Sequence, residues 1–343
     1  MGNGGAARVI AVLAKGMVEQ GHRVIVASFP FDGYSYPIDE SIEKITLSIE
    51  SGLKGIKRKT QRIGVIRELL MKHCGATIIA FEYFVNIETI FAARGLGCNV
   101  IVSERNDPAQ EDKKKGIKLL RNFVYQFADT LVCQTPDAKA YFPMNIQKNT
   151  VIIPNPITFN LPEPYQRQRE KKIVNFCRLE QQKNLTMLVD AFEIFLTDHQ
   201  DYLLYIYGNG SEKDTLINYI AQKNLTSYIV VHEAIPKIHD EVIGYAMFVS
   251  SSDYEGLSNS MLEAMAIGLP TICTDCPCGG ASMVITNREN GILTPVGNAQ
   301  ALADAMIEVA DDECLREKIS KNAVLIREVL SVSRIIKQWM EIT

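Results

Sequence analysis

Residues 245–270 read YAMFVSSSDYEGLSNSMLEAMAIGLP. The opening run, Tyr245 to Val249, is short, apolar and uncharged, as a strand buried on both faces requires. It ends at Ser250–Ser252, a polar turn follows, and Ser258 or Asn259, both good N-caps, opens a helix that Gly268 and Pro270 close. Strand, turn and helix in that order form one arm of a βαβ unit.

The same alternation runs the length of the chain. The first half offers HRVIVAS, ATIIAF, CNVIVSE, DTLVCQ and NTVIIPN as strands, and the second offers KKIVNFC, YLLYIYG, SYIVVHE, YAMFVSSS and LPTICTD. Between them lies PNPITFNLPEPYQRQREK, where Pro154, Pro156, Pro162 and Pro164 exclude regular structure. The sequence therefore predicts an α/β protein of two doubly wound, Rossmann-like domains at 1–155 and 171–325. A linker at 156–170 and a final amphipathic helix at 326–343, anchored by Trp339, complete it. The expected ligand site is a cleft between the domains.

Length and composition agree with two cores: 343 residues, 47% of them hydrophobic. Neither end carries a signal-peptide pattern, and no apolar run approaches the roughly 20 residues of a membrane-spanning helix, so a cytoplasmic location is expected. The eight cysteines fall mostly inside apolar runs and do not form a disulfide framework. Cys273, Cys276 and Cys278 lie close together in TICTDCPCGG, but a closed metal site wants a fourth ligand, and Cys314 has no matching pair. The histidines, His22, His73, His199, His232 and His239, show no ligand spacing and are expected in core or surface roles.

Charge is unevenly divided. Residues 1–155 carry 20 Lys+Arg against 15 Asp+Glu, net +5, and the remainder 16 against 25, net −9. The basic residues cluster as LKGIKRKTQR and KKKGIKLLR, each either a solvated helix face or a surface for an anionic partner. Peripheral contact with an anionic membrane on its inner face is one such expectation, with the basic residues supplying the attraction. A nucleic-acid partner is not expected.

In the 245–270 segment, Glu255 falls on the loop and Glu263 on the helix, near amides at a helix start. Two carboxylates accept hydrogen bonds from hydroxyls while helix-start amides hold an anion, a combination suited to a sugar joined to phosphate. With seven residues between them, Glu255 and Glu263 resemble the Glu-x7-Glu motif of retaining glycosyltransferase family 4. The resemblance extends to Arg178 and Lys183 in CRLEQQKNL, to the glycine loop in IYGNGSEKDTL, and to GGASMVITNRENGILTPVGNAQALADAM. It covers the second half nearly completely and the first more loosely.

The resemblance implies the GT-B fold, two Rossmann-like domains facing a cleft. It also implies transfer of a hexose or N-acetylhexosamine from a nucleotide-diphosphate sugar, with a UDP-sugar expected, to a glycan or polyprenyl-linked glycan in bacterial polysaccharide assembly. Glu255 would contact the donor sugar, Glu263 the ribose, and the amides of Gly256, Leu257 and Ser258 the pyrophosphate. Gly208 would belong to the donor side. Arg178 and Lys183 would neutralise the departing diphosphate. No Asp-x-Asp occurs, so no metal or other cofactor is expected.

The amino terminus, MGNGGAARVIAVLAKGMVEQGHRVIVAS, resembles the family's first glycine loop, with Gly4 and Gly5 near the donor phosphate or acceptor. It starts at the loop, without the strand that the family places before it, and a sheet lacking that first, central strand would leave backbone groups unpaired. Two further departures are Ala7 and Met283, where many relatives carry Glu. Glu104, Arg105 and Asn106, just past a strand, are read as acceptor-side.

Two other classes compete with this reading. Gly2, Gly4 and Ala7 nominally satisfy Gly-x-Gly-x-x-Gly/Ala, the mark of a nicotinamide-dependent dehydrogenase. That fingerprint needs a preceding strand and an acidic residue ending the next one, and HRVIVAS ends in Ser28. A non-catalytic nucleotide-sugar-binding subunit would share the fold, but the presence of both glutamates with Arg178 and Lys183 argues for an enzyme.

Overall fold

The structure, a computed structural model, describes residues 5–30, 37–111 and 115–343. The chain divides into two compact units, Met1–Pro156 together with Val332–Thr343, and Ile157–Ser331.

In the second unit, six parallel strands are β7 (Glu170–Phe176), β8 (Leu203–Tyr207), β9 (Ile229–His232), β10 (Tyr245–Ser250), β11 (Thr271–Thr274) and β12 (Ile292–Thr294). Their order across the sheet is β12-β11-β10-β7-β8-β9. The central pair reads as the sequence suggests, with every residue of β10 buried. The sheet core of Ile173, Leu204, Ile206, Met247, Val249 and Ile272 is fully closed to solvent, with Phe192 and Met306 packed over it from flanking helices.

The first unit holds two parallel sheets among its described residues. One is β1 (Ile25–Ser28) beside β2 (Glu43–Thr46); the other runs β3 (Thr77–Phe81), β4 (Asn99–Ser103), β5 (Thr130–Cys133) and β6 (Thr150–Ile152) in that order. The periodicity had not marked β2 or β12. The first is mostly exposed and polar, EKIT, and the second is only three residues long, so neither carries an apolar run of readable length.

Two boundaries differ from the sequence reading. The proline-rich segment does not hang between the units, because its end is strapped to the second. Arg169 donates to the carbonyls of Ile243 (3.0 Å), Tyr245 (3.0 Å) and Gly268 (2.6 Å) and to Ser320 Oγ (3.1 Å). Burial pulls the Arg169 pKa down to about 10, still far above neutrality, so it binds these acceptors as a cation. Arg327 ties in the other end through the carbonyls of Pro162 and Ala266.

The single final helix expected at 326–343 is two helices that belong to different units. Ile326–Val329 stays with the second, where the Leu330 carbonyl accepts from Ile157 N. Val332–Met340 belongs to the first, with Ile335, Ile336 and Trp339 almost completely buried. It packs against the Gly5–Glu19 helix. A Cβ on Gly16 would lie 1.7 Å from Ile336 Cδ1, so glycine there is what lets the two helices approach.

Replacing Arg169 with Leu keeps bulk but leaves three buried carbonyls without their charged donor. We expect this to lower stability by on the order of 3 kcal/mol, read as a shift in the urea midpoint at unchanged slope.

Candidate functional site

The sheet order of the second unit reverses between β7 and β10: β8 and β9 lie to one side, β11 and β12 to the other. Loops leaving such a pair diverge, and a crevice opens at the carboxyl ends of the two strands. The chain leaving β7 carries Cys177, Arg178 and the 3-10 turn Gln181–Lys183. The chain leaving β10 carries Ser251 to Ser258.

A set of cross-ties fixes these two segments against each other. Asn175 Nδ2 donates to Val249 O (2.7 Å) within the strands. Beyond them, Ser251 Oγ donates to Lys183 O (2.8 Å), Asp253 N to Gln182 O (2.9 Å), Gln182 Nε2 to Tyr254 O (2.7 Å) and Asn184 Nδ2 to Asp253 Oδ1 (2.7 Å). Asn184 adopts the left-handed conformation (φ 43°) that asparagine tolerates, and caps the Leu185–Phe195 helix by accepting from Met187 N.

These ties bring Lys183 onto Glu255. The Glu255 carboxylate accepts from Lys183 Nζ, from Ser252 Oγ at 2.9 Å and from Gln182 Nε2 at 3.2 Å. Both side chains of the ion pair are largely buried, 11% and 14% exposed. Burial by itself would lower the lysine pKa, but the attraction of Glu255 outweighs it and the net shift is upward, so the cation is firmly charged. Arg178 is exposed and close enough for its charge to be felt by Lys183.

Glu263 sits in the Asn259–Ala266 helix, which Ser258 caps by accepting from Met261 N. It is 6% exposed, with His239 Nε2 lying 2.9 Å from its Oε2. His239 in turn stands edge-on to the Phe176 ring, 6.0 Å between centroids. His239 is thus a largely buried histidine, within the core or surface roles that the sequence reading expects, and its charged neighbour is Glu263. Its sequence surroundings gave no signal, because the contact joins separate elements.

Ser252, Glu255, Gly256, Ser258, Thr274 and Cys276 are among the residues lining a small, open indentation at this end of the sheet. Three glycines are fixed by close backbone approach here. A Cβ on Gly280 would come within 1.8 Å of Gly256 O, on Gly208 within 2.0 Å of Cys177 O, and on Gly210 within 2.1 Å of Leu179 O. Gly208 and Gly210 thus hold the glycine loop flush against the segment that carries Arg178.

None of the eight cysteines is paired in a disulfide. Among the described residues no group of three or more His, Cys, Asp or Glu side chains is arranged to hold a metal ion. Burial pushes the thiols of Cys177 and Cys276 up to about 12, and that of Cys273 well above the usual range.

The sequence-derived residues of the first unit fare differently. Gly4 lies outside the described residues, and Gly5 is the first residue of a helix. Glu104, read as acceptor-side, is 3% exposed and accepts from the Tyr125 hydroxyl. Arg105 donates to Asn155 Oδ1 (3.0 Å), with its guanidinium 4.8 Å from the Phe81 ring centroid and 5.4 Å from that of Trp339. Both side chains are committed inward, Arg105 against the Trp339 ring of the final helix. Asn106 is half-buried beside them.

The family profile described as "Glycosyl transferases group 1" matches residues 159–325, and that described as "Glycosyltransferase Family 4" matches residues 3–160. The chain belongs to the family 4 glycosyltransferases. This glycosyltransferase is 22% identical, over all of its length and 95% of the relative's, to a Campylobacter jejuni protein. That relative is named "GalNAc-alpha-(1->4)-GalNAc-alpha-(1->3)-diNAcBac-PP-undecaprenol alpha-1,4-N-acetyl-D-galactosaminyltransferase". Among solved structures, it superposes on Anabaena HepE in complex with UDP and glucose with a TM-score of 0.81 at 16% identity, covering 99% of this chain and 96% of the other. It superposes on S. aureus TarM, in complex with fondaparinux, alpha-GlcNAc-glycerol and UDP, with a TM-score of 0.72 at 19% identity. There 82% of this chain is covered, and it spans 58% of TarM's length. The structural likenesses establish the GT-B fold.

Two outcomes are expected. Gly280→Ala drives a methyl into the Gly256 carbonyl and should cost about 1–3 kcal/mol in stability, measured by chemical unfolding. Iodoacetamide at pH 7 should label the exposed Cys74 and Cys314 and spare Cys273 and Cys276, whose protonated thiols are also buried. Labelling of Cys276, followed by peptide mapping, should rise with pH as its thiolate fraction grows.

Proposed function

We propose that this glycosyltransferase moves a hexose or N-acetylhexosamine from a UDP-sugar to a glycan or polyprenyl-linked glycan, with retention at the anomeric carbon and without a divalent metal. The observation that carries the reading is the buried Lys183–Glu255 pair at the β7–β10 switch point, beside the capped start of the Asn259–Ala266 helix. The UDP in the HepE and TarM structures and the lipid-diphosphate name of the C. jejuni relative support the choice of donor and acceptor.

On this reading, Glu255 orients the donor sugar through hydroxyl hydrogen bonds, Glu263 holds the ribose, and the amides of Gly256, Leu257 and Ser258 hold the diphosphate. The bond from the anomeric carbon to the diphosphate oxygen breaks, and the acceptor oxygen bonds to that carbon on the same face. The acceptor's proton passes to the departing phosphate oxygen, so no protein base is needed. Negative charge grows on the diphosphate as the bond breaks. Arg178 and Lys183 are the fixed cations that meet it, stabilising the transition state more than the bound donor.

Glu255→Gln should reduce turnover heavily while UDP still raises the melting temperature. Arg178→Ala should lose roughly a hundred- to thousandfold in kcat, a few kcal/mol of barrier, with little change in donor affinity. Lys183→Ala also strands a buried carboxylate, so Lys183→Arg is the cleaner companion. All are assayed by release of UDP, with and without excess chelator. Wild-type activity lost on chelation and restored by magnesium or manganese would overturn the metal-free assignment, and unchanged turnover in Glu255→Gln would overturn the role of Glu255.

A further inference from the structure

The Lys115–Tyr125 helix of the first unit is turned inside out relative to its chemistry. Arg121 is fully buried, whereas Leu119, Leu120 and Phe123 are 72%, 45% and 59% exposed. Those three, at spacing i, i+1 and i+4, share its outer face. Exposed apolar surface is ordinary when scattered, but a contiguous strip marks a surface that is covered in use.

Two of the exposed side chains on this face are in direct ring contact. Phe123 meets Phe127 edge to face at 5.5 Å, and Phe127, 44% exposed, lies under the Arg94 guanidinium at 4.6 Å. Arg94 ends the neighbouring Tyr83–Ala93 helix, which packs against both the Lys115–Tyr125 helix and the Gly55–Lys72 helix. That middle helix presents Phe84, 55% exposed, beneath Lys59 Nζ at 5.7 Å.

The strip is fringed by positive charge. Lys54, Lys57, Arg58 and Lys59 are exposed around the start of the Gly55–Lys72 helix, and Lys118 is exposed on the Lys115–Tyr125 helix. The Lys115–Tyr125 helix contains no acidic residue. The single acid of the Tyr83–Ala93 helix, Glu88, is turned inward and accepts from Arg62 Nε at 2.8 and 2.9 Å.

We propose that this strip is a membrane-docking surface, which seats Phe84, Leu119, Leu120, Phe123 and Phe127 at the headgroup boundary of an anionic bilayer. The Lys and Arg fringe lies against the lipid phosphates. Aromatic and leucine side chains favour that boundary, long basic side chains reach from it to the headgroups, and neither contribution alone anchors a protein stably. The placement holds the enzyme where a lipid-linked acceptor would reside, yet it stands apart from the donor-site reading, because binding to vesicles is measured without donor or acceptor.

The test is flotation of the full chain with phosphatidylcholine vesicles with and without phosphatidylglycerol, at low and high salt. The wild type should bind the anionic vesicles at low salt, weaken as salt rises, and bind neutral vesicles poorly. Leu119→Ser/Phe123→Ser and Lys57→Glu/Lys59→Glu should each lower the partition coefficient at least tenfold, with melting temperatures and UDP-binding midpoints unchanged. The proposal is overturned if the wild type does not bind anionic vesicles, if either double variant binds as the wild type does, or if binding is indifferent to salt. It is also overturned if the strip mediates self-association, seen as a concentration-dependent dimer abolished by Leu119→Ser/Phe123→Ser without any vesicle binding.

Discussion

The chemistry of this glycosyltransferase depends on one adjacency, the parallel pairing of β7 with β10. The strands are separated in sequence by three crossover connections, through β8 and β9, and their register pairs Met247 with Ile173 and Phe248 with Val174. Because the sheet order reverses there, the loops that follow run to opposite faces and leave room at their carboxyl ends. Everything at the site hangs on that gap. The Gln182–Asp253 and Asn184–Asp253 ties lock the two loops in one arrangement, and only then does Lys183 reach Glu255.

A buried ion pair is costly to form and is weak evidence for stability by itself, since both charges surrender hydration. Its geometry here fits the role proposed for it. Glu255 has further donors in Ser252 and Gln182, which keep the carboxylate oriented rather than merely neutralised. Arg178, by contrast, is exposed, so its charge is available to an incoming anion without breaking a pair. Among the described residues the candidate site thus presents one paired cation, Lys183, and one exposed cation, Arg178, a division that burial creates and that sequence spacing does not reveal.

The first unit is organised by a different constraint. Its final helix arrives from the far end of the chain, and Trp339 and Ile336 bury themselves between the Arg105 guanidinium and the surface that Gly16 leaves open. Arg105 is engaged in this packing, and Glu104 faces inward to accept from the Tyr125 hydroxyl. On its outer surface the same unit exposes Leu119, Leu120 and Phe123.

The alternation of buried strands and capped helices determined the α/β class, the two-domain plan and nearly every strand, because apolar periodicity and N-cap chemistry are local. Ser258 as N-cap was legible for the same reason, whereas Glu255 and Glu263 stood out through the Glu-x7-Glu resemblance. The short polar strand β2 and the three-residue β12 were not legible, having no apolar run to read. Only the tertiary structure decided that Gln182, Asn184 and Asp253 tie the two loops together, that His239 meets Glu263, that Gly280 is demanded by the Gly256 carbonyl, and that the last helix returns to the first unit. Each of those facts is a contact between segments distant in sequence, set by sheet order and packing, and no local pattern encodes which distant surface a residue will meet.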